Sequence, residues 1–430
     1  MERPLTPLER WYWICDQVSP LTVLSRVHVR DGLPADRLRA GLDALQARHP
    51  LLGVAIRADD AGEDPRFVPT DRPIPLRAVT GGGWVDELNE HELVAPVDWG
   101  AGPLARAVAV DTGDGTDLVL AVPHCVADGT TVLTLLRQWV ELAGGAEPGP
   151  PLPARPGPED LFPAAQRGVG GTRRAITQLI SDQAAARRLR PQRMEPSAVV
   201  PFDRRRTRLL HRELTGDQLD GLTRACRREQ VTVHGALAAA MVLAVAADAG
   251  VPAGGNVTIG SPITFRDELL PPVSDREVGT YVATVPSIVP YRPGEPLWPT
   301  ARAISTDLVR RRQRGEPLTA ISALRLAGPK SVAKSAKFLK FMQDKGPITL
   351  CISNLGRYDF PDKVGEHELS GAQFVTGLSV NAYFVATVNS SHGRLAWNFT
   401  YVQEAVPEER AVRLADGAVA AVLAAAGSTG

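Results

Sequence analysis

The heptapeptide PHCVADG, residues 123–129, contains the side chains of this sequence best suited to acid–base chemistry. His124 has an ordinary pKa of about 6.5, so a neutral imidazole here can accept a proton near neutral pH. A single histidine is more often structural than catalytic, so its surroundings must decide between the two interpretations. Asp128 lies four residues later, where its carboxylate can turn back into the structure and pair with an arginine. Gly129 is predicted to adopt backbone angles that other residues avoid.

A strand before this heptapeptide and a helix after it are predicted from the apolar pattern. Residues 118–122, LVLAV, form a continuous apolar run after the turn-rich segment DTGDGTD, as expected for a buried strand. From residue 130 to residue 142, apolar residues recur at helical spacing. His124 would therefore occupy a short loop at a strand end, where an imidazole can be held rigidly while it faces a cleft. This position favours the catalytic interpretation.

Cys125 is the competing nucleophile in the loop, but apolar residues follow it and no second histidine lies nearby in the sequence. A buried, unreactive thiol is therefore the favoured interpretation. The other cysteines, Cys15, Cys226 and Cys351, lie far apart and form no CxxC pair, which argues against a zinc knuckle or a disulfide scaffold. The sequence also lacks P-loop, HExxH and GxSxG motifs, so neither a metal nor a bound cofactor is predicted.

Composition and charge indicate a globular protein without a general affinity for polyanions. The 430 residues suffice for two or three domain-sized units. The 48 basic and 48 acidic side chains cancel, so no global attraction to nucleic acid or to an anionic membrane is implied. The N-terminus has early acidic residues and lacks the apolar core of a signal peptide. Residues 231–250 are alanine-rich and indicate a buried helix rather than a membrane span. A cytoplasmic location is expected.

Two segments near the middle of the chain stand out by composition. Residues 144–158, GGAEPGPPLPARPGP, can continue neither a helix nor a central strand and are predicted to be a semi-rigid connector. We therefore place an N-terminal unit at residues 1–150 and a C-terminal unit at residues 151–430. Residues 165–212 contain twelve arginines against three acidic residues. They are interpreted as a solvated helical face and a basic loop, or alternatively as a cationic patch for coenzyme A phosphates or an acidic carrier protein.

The heptapeptide resembles a known catalytic signature. PHCVADG is similar to HHxxxDG, the signature of the condensation domains of nonribosomal peptide synthetases and of polyketide-associated acyltransferases, and to HxxxD of the wider chloramphenicol-acetyltransferase superfamily. Pro123 replaces the first histidine, while His124 keeps the second, which is the one tied to chemistry in the family. Thr280 stands where the family has asparagine. Further segments resemble the family in the same order: QARHPLLG (46–53), VDWGAGPLAR (97–106), VTVHGALAAAM (231–241), SPITFRDEL (261–269), VGTYV (278–282), ISNLGRYDF (352–360) and GRLAWNFTY (393–401).

The resemblance implies an α+β fold with two lobes, each like a chloramphenicol acetyltransferase monomer with a mixed sheet and flanking helices. The lobes would form a V with a tunnel at their interface and His124 at its middle. The resemblance also implies a reaction. A thioester on coenzyme A, or on the phosphopantetheine arm of a carrier protein, would donate its acyl group to a hydroxyl or amine. His124 would act as the general base and give an ester or an amide without an acyl-enzyme.

The resemblance further implies roles for neighbouring residues. Asp128 would be structural and paired with Arg106 or Arg266, of which Arg106 is slightly favoured. The N–H of Gly129 and the side chain of Asn354 are candidate donors to the tetrahedral oxyanion. Asn354 is equally well explained as a turn residue in the left-handed conformation. Contacts with substrate are predicted for Ser353, Gly356 and Cys125.

Two other functions on the same fold stay open. A non-catalytic condensation-like domain could recruit a partner enzyme, but the intact His124, Asp128 and Gly129 argue against it. An epimerase or cyclase could use His124 to move a proton from carbon, although such domains usually belong to longer multidomain chains. We therefore predict a stand-alone, monomeric acyltransferase of natural-product or lipid biosynthesis. A carrier protein would be a partner if the donor is carrier-bound.

Overall fold

Two six-stranded mixed sheets, each packed against helices, form the frame of the protein in a computed structural model that describes residues 2–249, 254–346, 348–378, 380 and 382–427. The strands are β1 (Arg3–Pro4), β2 (Thr22–Arg30), β3 (Val54–Arg57), β4 (Arg66–Pro69), β5 (Leu76–Thr80), β6 (Arg106–Asp111), β7 (Gly115–Pro123), β8 (Thr207–Leu214), β9 (Gly255–Thr264), β10 (Val282–Tyr291), β11 (Leu350–Arg357), β12 (Lys363–Val364), β13 (His367–Thr376), β14 (Phe384–Ser391) and β15 (Arg394–Val402). The helices are α1 (Pro7–Val18), α2 (Ala35–Arg48), α3 (Trp84–Glu87), α4 (Gly129–Ala143), α5 (Gly168–Leu189), α6 (Gly216–Arg228), α7 (Val233–Asp248), α8 (Leu297–Gln313), α9 (Glu316–Ala327), α10 (Ala336–Lys345) and α11 (Glu408–Gly427).

The N-terminal sheet has the strand order β12-β13-β2-β7-β6-β5 and carries α2 and α4 on one face. Successive residues of β7 point to opposite faces. Leu118, Leu120 and Val122 pack with α2 and α4, whereas Val119 and Ala121 pack on the other face. Because both faces are covered, the strand is apolar from Leu118 to Val122. The predicted strand at 118–122 and helix at 130–142 are confirmed as the end of β7 and most of α4.

The C-terminal sheet has the strand order β10-β9-β11-β14-β15-β8, and α6, α7, α8 and α11 pack together beside it. Helix α7 is alanine-rich because its neighbours approach closely. A Cβ on Gly235 would lie 2.8 Å from the carbonyl oxygen of Ala301 on α8. Residues 236–242 are all buried, which confirms the predicted buried helix. Residue 250, at the end of the predicted stretch, lies outside the described residues.

Within the described ranges, no single helix is long and apolar enough to cross a membrane. The bent pair formed by α6 and α7 meets the same test of length and composition when the two helices are taken together. Much of α7 is buried within the C-terminal lobe, as core helices of this composition are.

Strand β13 joins the two lobes, although it follows β11 of the C-terminal sheet in sequence. It pairs antiparallel with β2 and therefore belongs to the N-terminal sheet. Side chains of the C-terminal sheet hold β13 as well. The Asn389 side chain accepts from the Phe374 N–H at 3.2 Å, and Asn398 donates to the Phe374 carbonyl at 3.0 Å. The predicted boundary at residue 150 therefore does not divide the chain into two separate units, because residues 363–376 complete the N-terminal sheet.

The Pro/Gly-rich connector runs without regular secondary structure from the end of α4 to a 3-10 turn at Pro158–Leu161. The Leu152 N–H donates to the Arg48 carbonyl at 2.9 Å. In the 3-10 turn, the Glu159 carboxylate accepts from the Leu8 N–H, at the start of α1, at 2.7 Å. The connector thus brings the chain back to α1 before α5 begins.

Candidate active site

The loop that contains His124 lies between a strand end and a capped helix. Strand β7 ends at Pro123, and α4 begins at Gly129. Asp128 is the N-cap of α4, and its Oδ1 accepts from the Thr131 N–H at 2.8 Å. The aspartate of the HxxxD pattern therefore also ends the loop, because its side chain caps the helix that follows.

The Asp128 carboxylate reaches Arg266, which follows β9 of the C-terminal sheet. Nη2 of Arg266 donates to the two carboxylate oxygens of Asp128 at 3.1 Å and 3.2 Å. The Asp128 side chain is 0% exposed and the Arg266 side chain 3%. The Tyr281 N–H donates to the same carboxylate at 2.9 Å. Burial alone would raise the pKa of the Asp128 carboxyl, but the Arg266 charge and the N–H groups of Thr131 and Tyr281 outweigh it and lower this pKa. Asp128 is therefore an ionised anchor.

Arg106 is not the partner of Asp128, so the slight preference for it is wrong. Its Nε donates to the Glu92 carboxylate at 2.5 Å, and its Nη2 donates to the Glu92 carbonyl at 2.7 Å. Arg266 takes the role because the start of α4 faces the C-terminal lobe, which brings together residues 138 positions apart. Local spacing in the sequence carries no information on such a contact.

Residues 278–282 tie the C-terminal lobe to the His124 loop. The hydroxyl of Thr131 donates to the Gly279 carbonyl at 2.7 Å. The hydroxyl of Thr280 donates to the His124 carbonyl at 2.5 Å. The position where this sequence departs from the asparagine of the family therefore supplies a hydroxyl that holds the backbone of the histidine.

The imidazole of His124 lies against the ring of Tyr12 on α1. The ring centroids are 4.0 Å apart and the ring planes differ by 9°, so the two rings are stacked. Nδ1 of His124 is buried and has no hydrogen-bond partner within the described part of the chain. Burial lowers the pKa of His124, and the charge of Asp128 opposes this shift only in part. The imidazole is therefore neutral near pH 7, which is the protonation state that a general base requires.

Sequence reasoning missed α1 as a part of this site. Besides Tyr12, the helix contributes Asp16, whose carboxylate accepts from the Leu21 N–H at 2.6 Å. The Leu21 carbonyl accepts in turn from the His124 N–H at 3.0 Å. Burial raises the pKa of Asp16 to about 6. The only hint in the sequence was the aromatic run WYW at residues 11–13. Its role in the site depends on the tertiary contact between Tyr12 and His124, which the sequence does not show.

Comparisons with known sequences match both halves of the chain. Residues 203–396 match the family model described as "Phthiocerol/phthiodiolone dimycocerosyl transferase C-terminus". The chain is 25% identical over 364 residues, 82% of each chain, to the uncharacterized protein Rv2305 of Mycobacterium tuberculosis. It is also 28% identical over 111 residues to a plipastatin synthase of Bacillus subtilis. That match spans 26% of this chain and only 4% of the synthase.

Solved structures match nearly the whole chain. The trichothecene 15-O-acetyltransferase TRI3 of Fusarium sporotrichioides has a TM-score of 0.75 at 12% identity, with 99% of this chain and 95% of that chain covered. The first condensation domain of the calcium-dependent antibiotic synthetase has a TM-score of 0.71 at 16% identity, with 99% and 97% covered. The chain has the condensation-domain fold. The α+β class and the two-lobe architecture are confirmed, and the resemblance to the condensation-domain and chloramphenicol-acetyltransferase superfamily is confirmed at the level of the fold.

Position 129 needs glycine because a larger side chain would collide with its neighbours, and not because of its backbone angles. It is the first residue of α4 and its φ is not positive, so the prediction of unusual backbone angles is wrong. A Cβ at this position would lie 2.7 Å from Cε2 of Phe374 and 3.2 Å from Cδ1 of Leu355. The N–H of Gly129 has no acceptor among the described residues. Its role as an oxyanion donor stays a prediction.

Residues 353–356, SNLG, lie within β11 beside the start of α4, where Leu355 approaches Gly129. The pairing of β11 with β14 shifts register between Asn354 and Arg357, so this SNLG segment is an irregularity within a strand and not a turn between elements. Oδ1 of Asn354 accepts from the Gly356 N–H at 2.7 Å. Gly356, with a φ of 71°, takes the left-handed conformation and Asn354 does not, so the left-handed explanation of Asn354 is wrong. The oxyanion role of Asn354 and the substrate contacts of Ser353 and Gly356 stay predictions.

Cys125 packs inside the N-terminal lobe. Its side chain is 1% exposed and belongs to the core formed with α2 and α4. Burial raises the pKa of this thiol well above its ordinary value. The thiol is buried, as expected, and its raised pKa supports the prediction that it is unreactive, but the predicted contact of Cys125 with substrate is contradicted by its position in the core.

A cavity of about 420 Å³ lies beside Pro123, on the sheet face opposite α2 and α4. Thr22, Ala121 and Arg106 contribute to its wall, and proline side chains form much of the remainder. The four further prolines are Pro73, Pro75, Pro96 and Pro103. The cavity is adjacent to the backbone that leads into His124 but is not lined by its side chain. The tunnel expected between the lobes stays a prediction.

Replacement of Gly129 by alanine is expected to destabilise the protein, because the new Cβ collides with the Phe374 ring. We expect the free energy of unfolding, measured by urea denaturation, to fall by about 1–3 kcal/mol. Gly53→Ala is the matched control, since nothing lies within 4 Å of a Cβ at Gly53. Phe374→Leu should cost less stability in the Gly129→Ala background than alone. Equal stability of Gly129→Ala and wild type would contradict the close packing.

Replacement of Asp128 by asparagine leaves the buried Arg266 without a carboxylate. The expected loss is about 3–5 kcal/mol in the free energy of unfolding, measured in the same way. Asp43→Asn is the control, because the Asp43–Arg39 pair is exposed and is worth less than about 1 kcal/mol. Combining Asp128→Asn with Arg266→Met should cost less than the sum of the single losses. Additive losses would mean that the two side chains do not stabilise each other.

Proposed function

We propose that this protein transfers an acyl group from a thioester to a hydroxyl or amine, with His124 as the general base. The observation that carries the proposal is the setting of the imidazole, which is stacked on Tyr12 in a loop anchored by the Asp128–Arg266 pair, and whose pKa is lowered by burial. General-base catalysis needs a fixed orientation and a neutral base near the working pH. The condensation fold, which an acetyltransferase and a condensation domain also have, supports this class of reaction.

The proposed reaction is a direct transfer. The acceptor oxygen or nitrogen attacks the thioester carbonyl carbon, and its proton passes to the His124 imidazole as the new C–O or C–N bond forms. The tetrahedral intermediate then collapses, the C–S bond breaks, and the imidazolium returns the proton to the leaving thiolate. The products are an ester or amide and a free thiol. The buried Cys125, with its raised pKa, supports a route without an enzyme nucleophile.

The oxyanion of the intermediate needs a hydrogen-bond donor that is in place before the reaction. We propose the N–H of Gly129 and the side-chain amide of Asn354. The two groups belong to neighbouring elements, because Leu355 of the SNLG segment in β11 packs against the start of α4 at Gly129. The hydrogen bond with the Gly356 N–H uses only the side-chain oxygen of Asn354, and its amide N–H groups would serve a bound oxyanion.

The donor we propose is an acyl-CoA or a carrier protein with an acylated phosphopantetheine arm. Both present the same thioester to His124, so the base itself does not select between them. The wall of the cavity beside Pro123 combines prolines and alanines with the charged side chains of Arg72, Asp98 and Arg106, a surface suited to a substrate with both an apolar and a polar part. Ser353 and Gly356 would contact substrate from the SNLG segment of β11. We propose a role in natural-product or lipid biosynthesis, with a monomer as the active unit because both lobes of one chain build the site.

The test of the proposed function is acyl transfer by wild type and His124→Ala. Purified protein is incubated with a panel of acyl-CoA donors and pooled alcohols and amines, and both thiol release and product mass are measured. We expect acceptor-dependent release in wild type and a loss of about 10²–10⁴-fold in the variant, the typical contribution of a general base. His91→Ala, at an exposed histidine, is the matched control and should keep full activity.

The other outcomes are equally informative. Transfer that survives His124→Ala would remove this residue from the role of base. If coenzyme A donors give no product, acylated carrier proteins are tested under the same conditions. No transfer from either donor class would contradict the proposed function and favour a domain that recruits a partner protein.

The pH dependence of the rate tests the protonation state. Because burial holds the pKa of His124 below 6.5, the imidazole stays neutral at pH 7 and is protonated only in more acidic solution. With an alcohol acceptor, which does not titrate in this range, kcat/KM should be constant from about pH 7 to 8. It should fall in acid with a midpoint below 6.5. A midpoint at or above pH 7 would contradict a neutral, desolvated base.

A further inference from the structure

The outer face of α5 exposes large apolar side chains to solvent. Val169 is 87% exposed, Ile176 48%, Leu179 43% and Ile180 64%. We call these four residues the α5 apolar face. Isolated apolar residues are normal on a protein surface, but a group of them on one element marks an interaction site.

Helical geometry turns this face away from the rest of the protein. Residues 169, 176 and 180 are separated by seven and four positions, so they fall on one stripe of the helix. Gly171 and Ala175, the buried residues of α5, lie on the opposite side, where the helix packs against α9. Packing within the described part of the chain therefore accounts for the small residues of α5 and not for its large apolar ones.

Arginines surround the α5 apolar face. The acidic residue within α5, Asp182, lies 3.6 Å from Arg311 of α8, so its charge is already engaged. The chain as a whole has no net charge, yet this surface is locally cationic. An anionic partner is thus electrostatically complementary to it. The exposed arginines of α5 are Arg173, Arg174, Arg187 and Arg188.

We propose that α5 is a membrane-docking helix that lies on the surface of an anionic lipid bilayer. The α5 apolar face would enter the boundary between headgroups and acyl chains, while the arginines extend to the lipid phosphates. An apolar stripe interleaved with basic side chains is the pattern of helices that bind in the plane of a membrane interface. Anionic lipids add an electrostatic attraction for each basic residue close to the surface.

A second copy of the chain fits this face less well than a bilayer. The other large apolar side chains exposed on described helices are Val309, Leu326 and Phe341. They lie one each on α8, α9 and α10, so no described helix other than α5 exposes a group of them. Contact of α5 with α5 of a second copy would bring the exposed arginines of both helices together, whereas a bilayer supplies both the apolar phase and the compensating anions.

This proposal goes beyond the proposed acyl transfer and does not depend on it, because binding to vesicles requires no turnover. Within the basic segment 165–212, the proposed cationic surface lies on the single helix α5. The acyl-transfer assay with water-soluble substrates reports on the first proposal, and vesicle binding reports on the second, so either can fail alone.

The test is flotation of the full-length protein with lipid vesicles. Vesicles of phosphatidylcholine alone are compared with vesicles that contain roughly one third phosphatidylglycerol. We expect wild type to float with the anionic vesicles and to be released as the salt concentration rises. Ile176→Ser combined with Ile180→Ser should lower the bound fraction at least about tenfold, and so should Arg173→Gln combined with Arg187→Gln.

Val309→Ser combined with Phe341→Ser is the matched control, because it removes two exposed apolar side chains elsewhere. Circular dichroism melts check that each variant is folded. Binding that is absent in wild type, or equal in wild type and both α5 variants, would overturn the proposal. Binding to neutral vesicles as strong as to anionic ones would overturn the electrostatic part. A wild-type dimer that the Ile176→Ser and Ile180→Ser pair dissociates, in size-exclusion chromatography without lipid, would assign the face to a second copy instead.

Discussion

The buried pair of Asp128 and Arg266 is the contact on which the site depends. Asp128 caps α4 in one lobe, and Arg266 follows a strand of the other, so this ion pair links the start of a helix in one lobe to a segment of the other. An ion pair out of water is stable only when its remaining hydrogen-bonding groups are satisfied. Thr131, Tyr281 and the carbonyls of residues 274 and 277 satisfy most of these groups here, whereas Nε of Arg266 has no hydrogen bond among the described residues. The motif aspartate is therefore a structural anchor at the interface of the lobes.

The setting of His124 depends on that anchor together with two other contacts. Thr280 of the C-terminal lobe holds the backbone of the histidine, and Tyr12 of α1 covers one face of its imidazole. Burial of the ring lowers its pKa, which favours the neutral imidazole. The same burial therefore supports the protonation state that the proposed general base needs. The site belongs to the junction of α1 and the two lobes rather than to the loop alone.

Strand β13 and helix α5 illustrate two ways in which the chain uses its surfaces. β13 follows β11 with its SNLG segment and completes the N-terminal sheet, where Phe374 packs directly on Gly129. The lobes are thus joined by a shared strand as well as by an ion pair, and the His124 loop lies where these contacts meet. Helix α5 does the reverse, since the residues it buries are small and it presents large apolar ones outward.

The sequence by itself determined the elements that depend on local pattern. The apolar run at 118–122 and the helical spacing after it predicted the strand, loop and helix around His124, and the order of the motifs predicted the fold. It also predicted an unreactive Cys125, because apolar neighbours are visible in the sequence. Tertiary structure alone decided which arginine pairs with Asp128, why residue 129 is glycine, and that Tyr12 stacks on the imidazole. The physical reason is that periodicity reports which side of an element is apolar, whereas the partner across an interface depends on how distant segments pack.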